Sequence, residues 1–233
     1  VGDSLGNVML GLGDTVSVTM EDMIHHGAAV ARGTKNALVV VDMPFMSYQS
    51  SVYDAVVNAG RLMKEARTNA VKLEGGVEVA DRIRAIVDCQ IPVCAHIGLT
   101  PQGINALGGF KVQGKTADSA RKLLEDAHAV EEAGAFAVVL EAIPAELAER
   151  VSAELTIPTI GIGAGAGCDG QVLVNQDMLG MFHDFTPKFV RRFAEVGDVM
   201  LDAYRAYDAA VKDGTFPAAE HTYAAPAGVL ENL

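Results

Sequence analysis

No stretch of this 233-residue sequence approaches the ~20 consecutive apolar residues that a membrane-spanning helix requires, so a soluble protein with no membrane partner is expected. Val1 is followed by no basic-then-apolar leader, and no secretory signal is visible. Cysteine is scarce. Cys89, Cys94 and Cys168 make an odd number, with no C-x-x-C pair and no histidine at metal-ligand spacing. That argues against a disulfide framework and predicts a reduced, cytoplasmic setting. Positive charge is also short: 18 lysines and arginines stand against 30 acids, a formal net charge of −12. Such a surface repels phosphate backbones, so no nucleic-acid partner is expected. A G-x-G-x-x-G turn after the first strand is missing as well, which weighs against an open dinucleotide-binding sheet.

What is present is a compact globular composition, half apolar with 24 glycines. Strand-like runs alternate with helical ones. Strands are expected at 1–3, 37–42, 70–74, 91–97, 135–141, 157–162 and 171–175. Thr19-Met-Glu-Asp22 reads as a capping box opening a helix that stops near Gly33. Further helices are expected over about 51–66, 77–88, 117–133, 145–155 and 187–213. One strand plus one helix is the repeating unit of a parallel α/β fold. Seven strands, the first a stub, predict a (β/α)8 TIM barrel lacking its first βα unit. No linker is visible, so a single catalytic domain over 1–233 is expected, with an irregular tail from about 215.

In such a barrel, functional side chains stand at the C-terminal ends of the strands. Reading those ends in order gives Asp3 and Ser4, Asp42, Lys72 with Glu74, His96, and Glu141. A single acid there is ordinarily a helix cap or a solvated rim charge, but the same pattern repeats at strand after strand. In Val71-Lys72-Leu73-Glu74 the charged pair shares one face and the apolar pair the other. Burying Lys72 and Glu74 is costly unless they pair or meet a ligand. Asp3, Asp42 and Glu74 form an all-oxygen donor set of the kind that suits Mg²⁺. A metal there could chelate a 2-oxo acid, with Lys72 offsetting charge and Glu141 acting as base. The plain alternative for Lys72 and Glu74 is a structural ion pair.

VGDSLG, VDMPFMSY, VKLEGG, CAHIGLTPQ, GGFKVQGK, LEAIP, GIGAG and DGQVLV, in this order, resemble the ketopantoate hydroxymethyltransferase (3-methyl-2-oxobutanoate hydroxymethyltransferase) family. GTFPAAEHTY resembles that family's C-terminal segment, so the likeness runs to about residue 223. The resemblance implies a barrel of the phosphoenolpyruvate/pyruvate type and a Mg²⁺-dependent transferase in pantothenate and coenzyme A biosynthesis. Its substrates would be 5,10-methylenetetrahydrofolate and 3-methyl-2-oxobutanoate, its products tetrahydrofolate and 2-dehydropantoate. By motif, Asp3 and Asp42 take metal and substrate positions, Ser4 and Lys72 hold substrate, Glu74 completes the metal site, and Glu141 is the proton acceptor. A homo-oligomer, a decamer in the family, is implied too.

Other features stay open between a role and plain structure. His96 either orients the metal or substrate or is a hydrogen-bonded barrel histidine. His25 and His26 read as surface or packing residues. The run Gly161-IGAGAG reads as tight backbone packing more than as a phosphate cradle. Lys111 and Lys115 either cover the site or lie on a solvated loop. Two rival functions remain: a related Mg²⁺-dependent lyase or aldolase on another 2-oxo acid, and an inactive truncated fragment.

Overall fold

The structure is a computed structural model that describes residues 1–232; Leu233, the last residue of the domain expected over 1–233, lies outside the described residues. The chain falls into two compact units, one of residues 1–174 with 187–190, the other of residues 175–186 with 191 onward.

The first unit is a parallel sheet with helices between its strands. Its strands are β1 (Val40–Asp42), β2 (Ala70–Glu74), β3 (Val93–Gly98), β4 (Ala137–Glu141), β5 (Thr159–Ile162) and β6 (Gly170–Gln171). They pair in sequence order, all parallel, and among the described residues the sheet is open between β1 and β6. Its helices are α1 (Leu5–Val8), α2 (Met20–Gly33), α3 (Val52–Arg61), α4 (Ala80–Asp88), α5 (Ile104–Leu107), α6 (Ala117–Glu132) and α7 (Ala145–Glu154). The capping box at α2 forms as expected: Asp22 N–H donates to Thr19 Oγ1 and Thr19 N–H to the Asp22 carboxylate. The second unit holds α8 (Asn175–Met178) and α9 (Val196–Asp213).

The period of two along each strand divides the sheet into two faces. Val41, Val71, Leu73, Ala95, Ile97, Val138 and Leu140 join helix residues such as Met23, Ile83 and Val130 in the main core. Cys94, Ala137, Val139 and Ile162 pack on the opposite face with Val40, Ile160 and Phe189. That second face is the one on which the charged strand-end residues stand, because Asp42, Lys72, Glu74, His96 and Glu141 alternate with the core positions.

β1, β3, β4 and β5 begin two or three residues later than the sequence expectation, and three further boundaries differ more. Residues 1–3 form no strand; Val1 makes backbone bonds to β1, donating to Val40 O and accepting from Asp42 N–H. Of the run 171–175 only Gln171 is strand, the last residue of β6, because it pairs with Gly161 and β5 ends one residue later. Gly163 then turns away at φ 64°, which leaves residues beyond Val172 without a partner strand. The last long helix starts at Val196 instead of about 187. The N–H groups of Phe193, Val196 and Gly197 donate to the carbonyls of Met178, Leu179 and Gly180, and the helical ladder begins only with Val199 N–H to Glu195 O.

Candidate active site

The pairing register places the chemistry in three rows on one face. Asp42, Lys72 and Cys94 are successive partners in the first row, and Glu74, His96 and Val139 in the second. Gly98 and Glu141 pair in the third. Moving one strand over and one row up leads from Lys72 to His96 to Glu141. That diagonal is the line along which the side chains meet. Lys72 Nζ lies 3.2 Å from Asp42 Oδ1 and 3.0 Å from His96 Nδ1, and His96 Nε2 lies 3.2 Å from Glu141 Oε2.

Asp3 closes the group from outside the sheet. Its backbone N–H donates to Asp42 Oδ2 at 3.0 Å, and its own Oδ2 accepts from Gln102 Nε2 at 2.8 Å. Ser4 begins α1, but its hydroxyl makes no capping bond there. A Cβ on Gly2 would lie 3.0 Å from Ser4 Oγ and 3.6 Å from Asp42 Oδ2, so the missing side chain lets both oxygens border one space.

Two residues that were not singled out from the sequence organise this cluster. Gln102 donates its backbone N–H to Glu74 Oε2 at 3.0 Å and its side-chain amide to Asp3 and to Met43 O. Tyr48, fully buried, accepts Glu74 N–H at 3.0 Å and has its hydroxyl 2.8 Å from Gln102 Oε1. Both stand at the ends of stretches that carried the family resemblance, VDMPFMSY and CAHIGLTPQ; that position was the available signal.

The electrostatics follow from packing acids together out of water. Burial, then the adjacent Asp42 carboxylate, pushes the Asp3 carboxyl up to about 7. Burial also drives Glu74 well above the usual carboxylate range, although Lys72 opposes it. Lys72 is pulled down by burial, but Asp42 and Glu74 outweigh that and hold it protonated. For His96, burial and then the Lys72 ammonium lower the imidazole.

Carboxylates that resist sharing a buried space are relieved by a cation. Asp3 and Asp42 are two adjacent hard oxygen donors with no thiolate, and Mg²⁺ is commonly held by one or two carboxylates plus water and substrate, so the pair fits that ion. Among the described residues, no group of three or more His, Cys, Asp or Glu side chains is arranged to hold a metal. Glu74, expected to complete the metal site, accepts the Gln102 backbone N–H at Oε2.

Features outside the cluster take ordinary places. His25 is exposed on α2, edge-on to His26. A Cβ on Gly161 would meet Cys168 Sγ at 2.9 Å, so the glycine run there packs closely against side chains. Lys111 and Lys115 are exposed. Cys89, Cys94 and Cys168 are all free thiols, and no helix of the described residues is long and apolar enough to cross a membrane.

Comparison with solved structures places the fold: a putative phosphonomutase from Burkholderia cenocepacia J2315 matches with a TM-score of 0.50 at 17% identity, over 84% of this chain and 79% of its own. Comparison with sequences goes further. The family model described as ketopantoate hydroxymethyltransferase matches residues 1–219. The 3-methyl-2-oxobutanoate hydroxymethyltransferases of Clostridium novyi and Enterococcus faecalis are each 66% identical over all of this chain and 85% of their own length. That of Syntrophomonas wolfei is 58% identical over all of this chain and 84% of its own length. A match so nearly complete settles the family: the chain belongs to the ketopantoate hydroxymethyltransferases.

Proposed function

We propose that the chain transfers a hydroxymethyl unit from 5,10-methylenetetrahydrofolate to 3-methyl-2-oxobutanoate, giving 2-dehydropantoate and tetrahydrofolate in pantothenate biosynthesis. The observation that carries this is 66% identity across every residue of the chain to relatives of that name. The six sequential parallel strands support a (β/α)8 barrel as the scaffold.

Asp3 and Asp42 are the residues that would hold Mg²⁺, with Glu74 reaching it through water. When bound, the ion supplies Lewis-acid polarisation of the keto oxygen, which acidifies carbon 3 of the oxo acid. Lys72 gives one N–H to Asp42 and one to His96, and its third is directed to the substrate carboxylate together with the Ser4 hydroxyl. The Glu141 carboxylate takes the proton from carbon 3, and the resulting enolate carbon attacks the one-carbon unit brought by the folate. Water adds to the folate methylene, both C–N bonds break and the two protons of water restore the N–H groups of tetrahydrofolate; the water oxygen becomes the hydroxyl, which takes the carbon-3 proton back from Glu141. A cytoplasmic setting accords with three unpaired thiols. A homo-oligomer accords with α9, which has no buried residue.

The base assignment is tested by Glu141→Gln. This variant should retain binding of the oxo acid with Mg²⁺ but lose deuterium exchange at carbon 3 by about 10²–10⁴-fold, the usual contribution of a positioned base. Near-normal exchange would remove Glu141 from that role.

A further inference from the structure

We infer that His96 is a positioning residue for Glu141: Lys72 fixes its tautomer, so that its Nε2–H is presented to the Glu141 carboxylate. This rests on the proposed role of Glu141 as base.

Donor arithmetic leaves one arrangement. An ammonium has donors only, so Lys72 Nζ, 3.0 Å from His96 Nδ1, requires a lone pair on Nδ1. The imidazole proton then resides on Nε2. Nε2 is completely buried and has no aligned hydrogen-bond partner, while Glu141 Oε2 lies 3.2 Å away, off the N–H axis. A turn of the Glu141 carboxylate aligns the two, and catalytic hydrogen bonds are often misaligned before substrate binds. The other carboxylate near the ring, Glu74, has Oε1 3.9 Å from Nδ1, too far to bond to it. Burial and the Lys72 charge keep the ring neutral, which is the state this geometry needs.

The consequence is a chain centred on Lys72, which donates to Asp42 on one side and to His96 on the other, with His96 passing an N–H on towards Glu141, so that the carboxylates at one end of the site are joined to the proposed base at the other. The Nε2–H holds one carboxylate oxygen of Glu141 still and leaves the opposite lone pairs for the substrate proton. His96 thereby acts through the base and not on the metal.

The test has two arms. In ¹⁵N-histidine-labelled full chain at neutral pH, ring correlations should show His96 protonated at Nε2 and bare at Nδ1; a proton on Nδ1, alone or with Nε2, overturns the inference. This arm uses the unaltered chain and is independent of Glu141's role. In the second arm, His96→Gln keeps an amide donor near the Nε2 position, while His96→Asn is too short to reach Glu141. Asn should lower kcat by about 10–100-fold, as loss of an outer hydrogen-bonding partner commonly does, with KM for the oxo acid and Mg²⁺ affinity unchanged. Gln should recover most of that loss. Equal losses in both variants, or losses confined to KM or Mg²⁺ affinity, overturn it. Normal carbon-3 exchange in Glu141→Gln beside the expected tautomer would instead locate the failure in the base assignment.

Discussion

Asp3 carries an unusual protonation balance for a single residue. In the folded chain it titrates at about 7, against 3.8 for an ordinary aspartate. Between those values the folded state keeps a proton that the unfolded chain has lost, so stability falls as pH rises through that window and levels off above it. A salt-bridged aspartate behaves in the opposite sense. Metal-free protein should therefore melt at a lower temperature at pH 8 than at pH 5, and Asp3→Asn should reduce that difference; an identical pH profile in the variant would contradict this. Glu74, raised for the same reason, supplies part of the remaining slope. Asp3 was legible in the sequence because it belongs to a series of charged residues at expected strand ends, although residues 1–3 form no strand. Its partner Gln102 was not, since an amide at the end of CAHIGLTPQ carries no charge or period to betray it, and its contact spans 99 positions.

At the level of elements, the strands were legible where burial of one face imposed a period of two. Val71-Lys72-Leu73-Glu74 divides between core and site as its alternation implies. The edge of the sheet was not legible, because the length of β6 depends on where β5 turns away, a property of another segment. Likewise, the start of α9 is delayed by hydrogen bonds to residues 178–180 that no local propensity encodes. The β3–β4 pairing also fixes Glu141, the proposed base. Gly98 has φ 94°, and a Cβ there would strike the Glu141 carbonyl and lie 2.9 Å from Ile143 Cγ2. Gly98→Ala should shift Glu141 and reduce kcat by about 10²-fold, the scale expected for ångström misplacement of a reacting group, and it should also lower the melting temperature. Wild-type kcat in a folded Gly98→Ala protein would show that the base tolerates that shift.

For the whole molecule, α9 sets the expectation for assembly. Met200, Tyr204, Tyr207 and Val211 follow helical i, i+4, i+7, i+11 spacing and are 41%, 66%, 60% and 47% exposed. A stripe of that kind on a helix with no buried residue is covered in the proposed homo-oligomer. Light scattering should find an oligomer, and Tyr204→Asp with Tyr207→Asp should yield smaller species with unchanged circular dichroism. A monomeric wild-type chain would contradict it.

The long reach of Gln102 also bears on the order of events during folding. Its side chain joins residue 3 to the loop after β3, while its backbone clasps Glu74 at a separation of 28 positions. Closing the wider of these loops costs chain entropy before any local contact returns it. Neighbouring strand pairs such as β3–β4 can register first, with the Asp3–Gln102 link arriving late. If the proposed site is the catalytic one, competence to react is then a report on completed folding: a chain with most of its sheet formed would still lack the Asp3 end of that site.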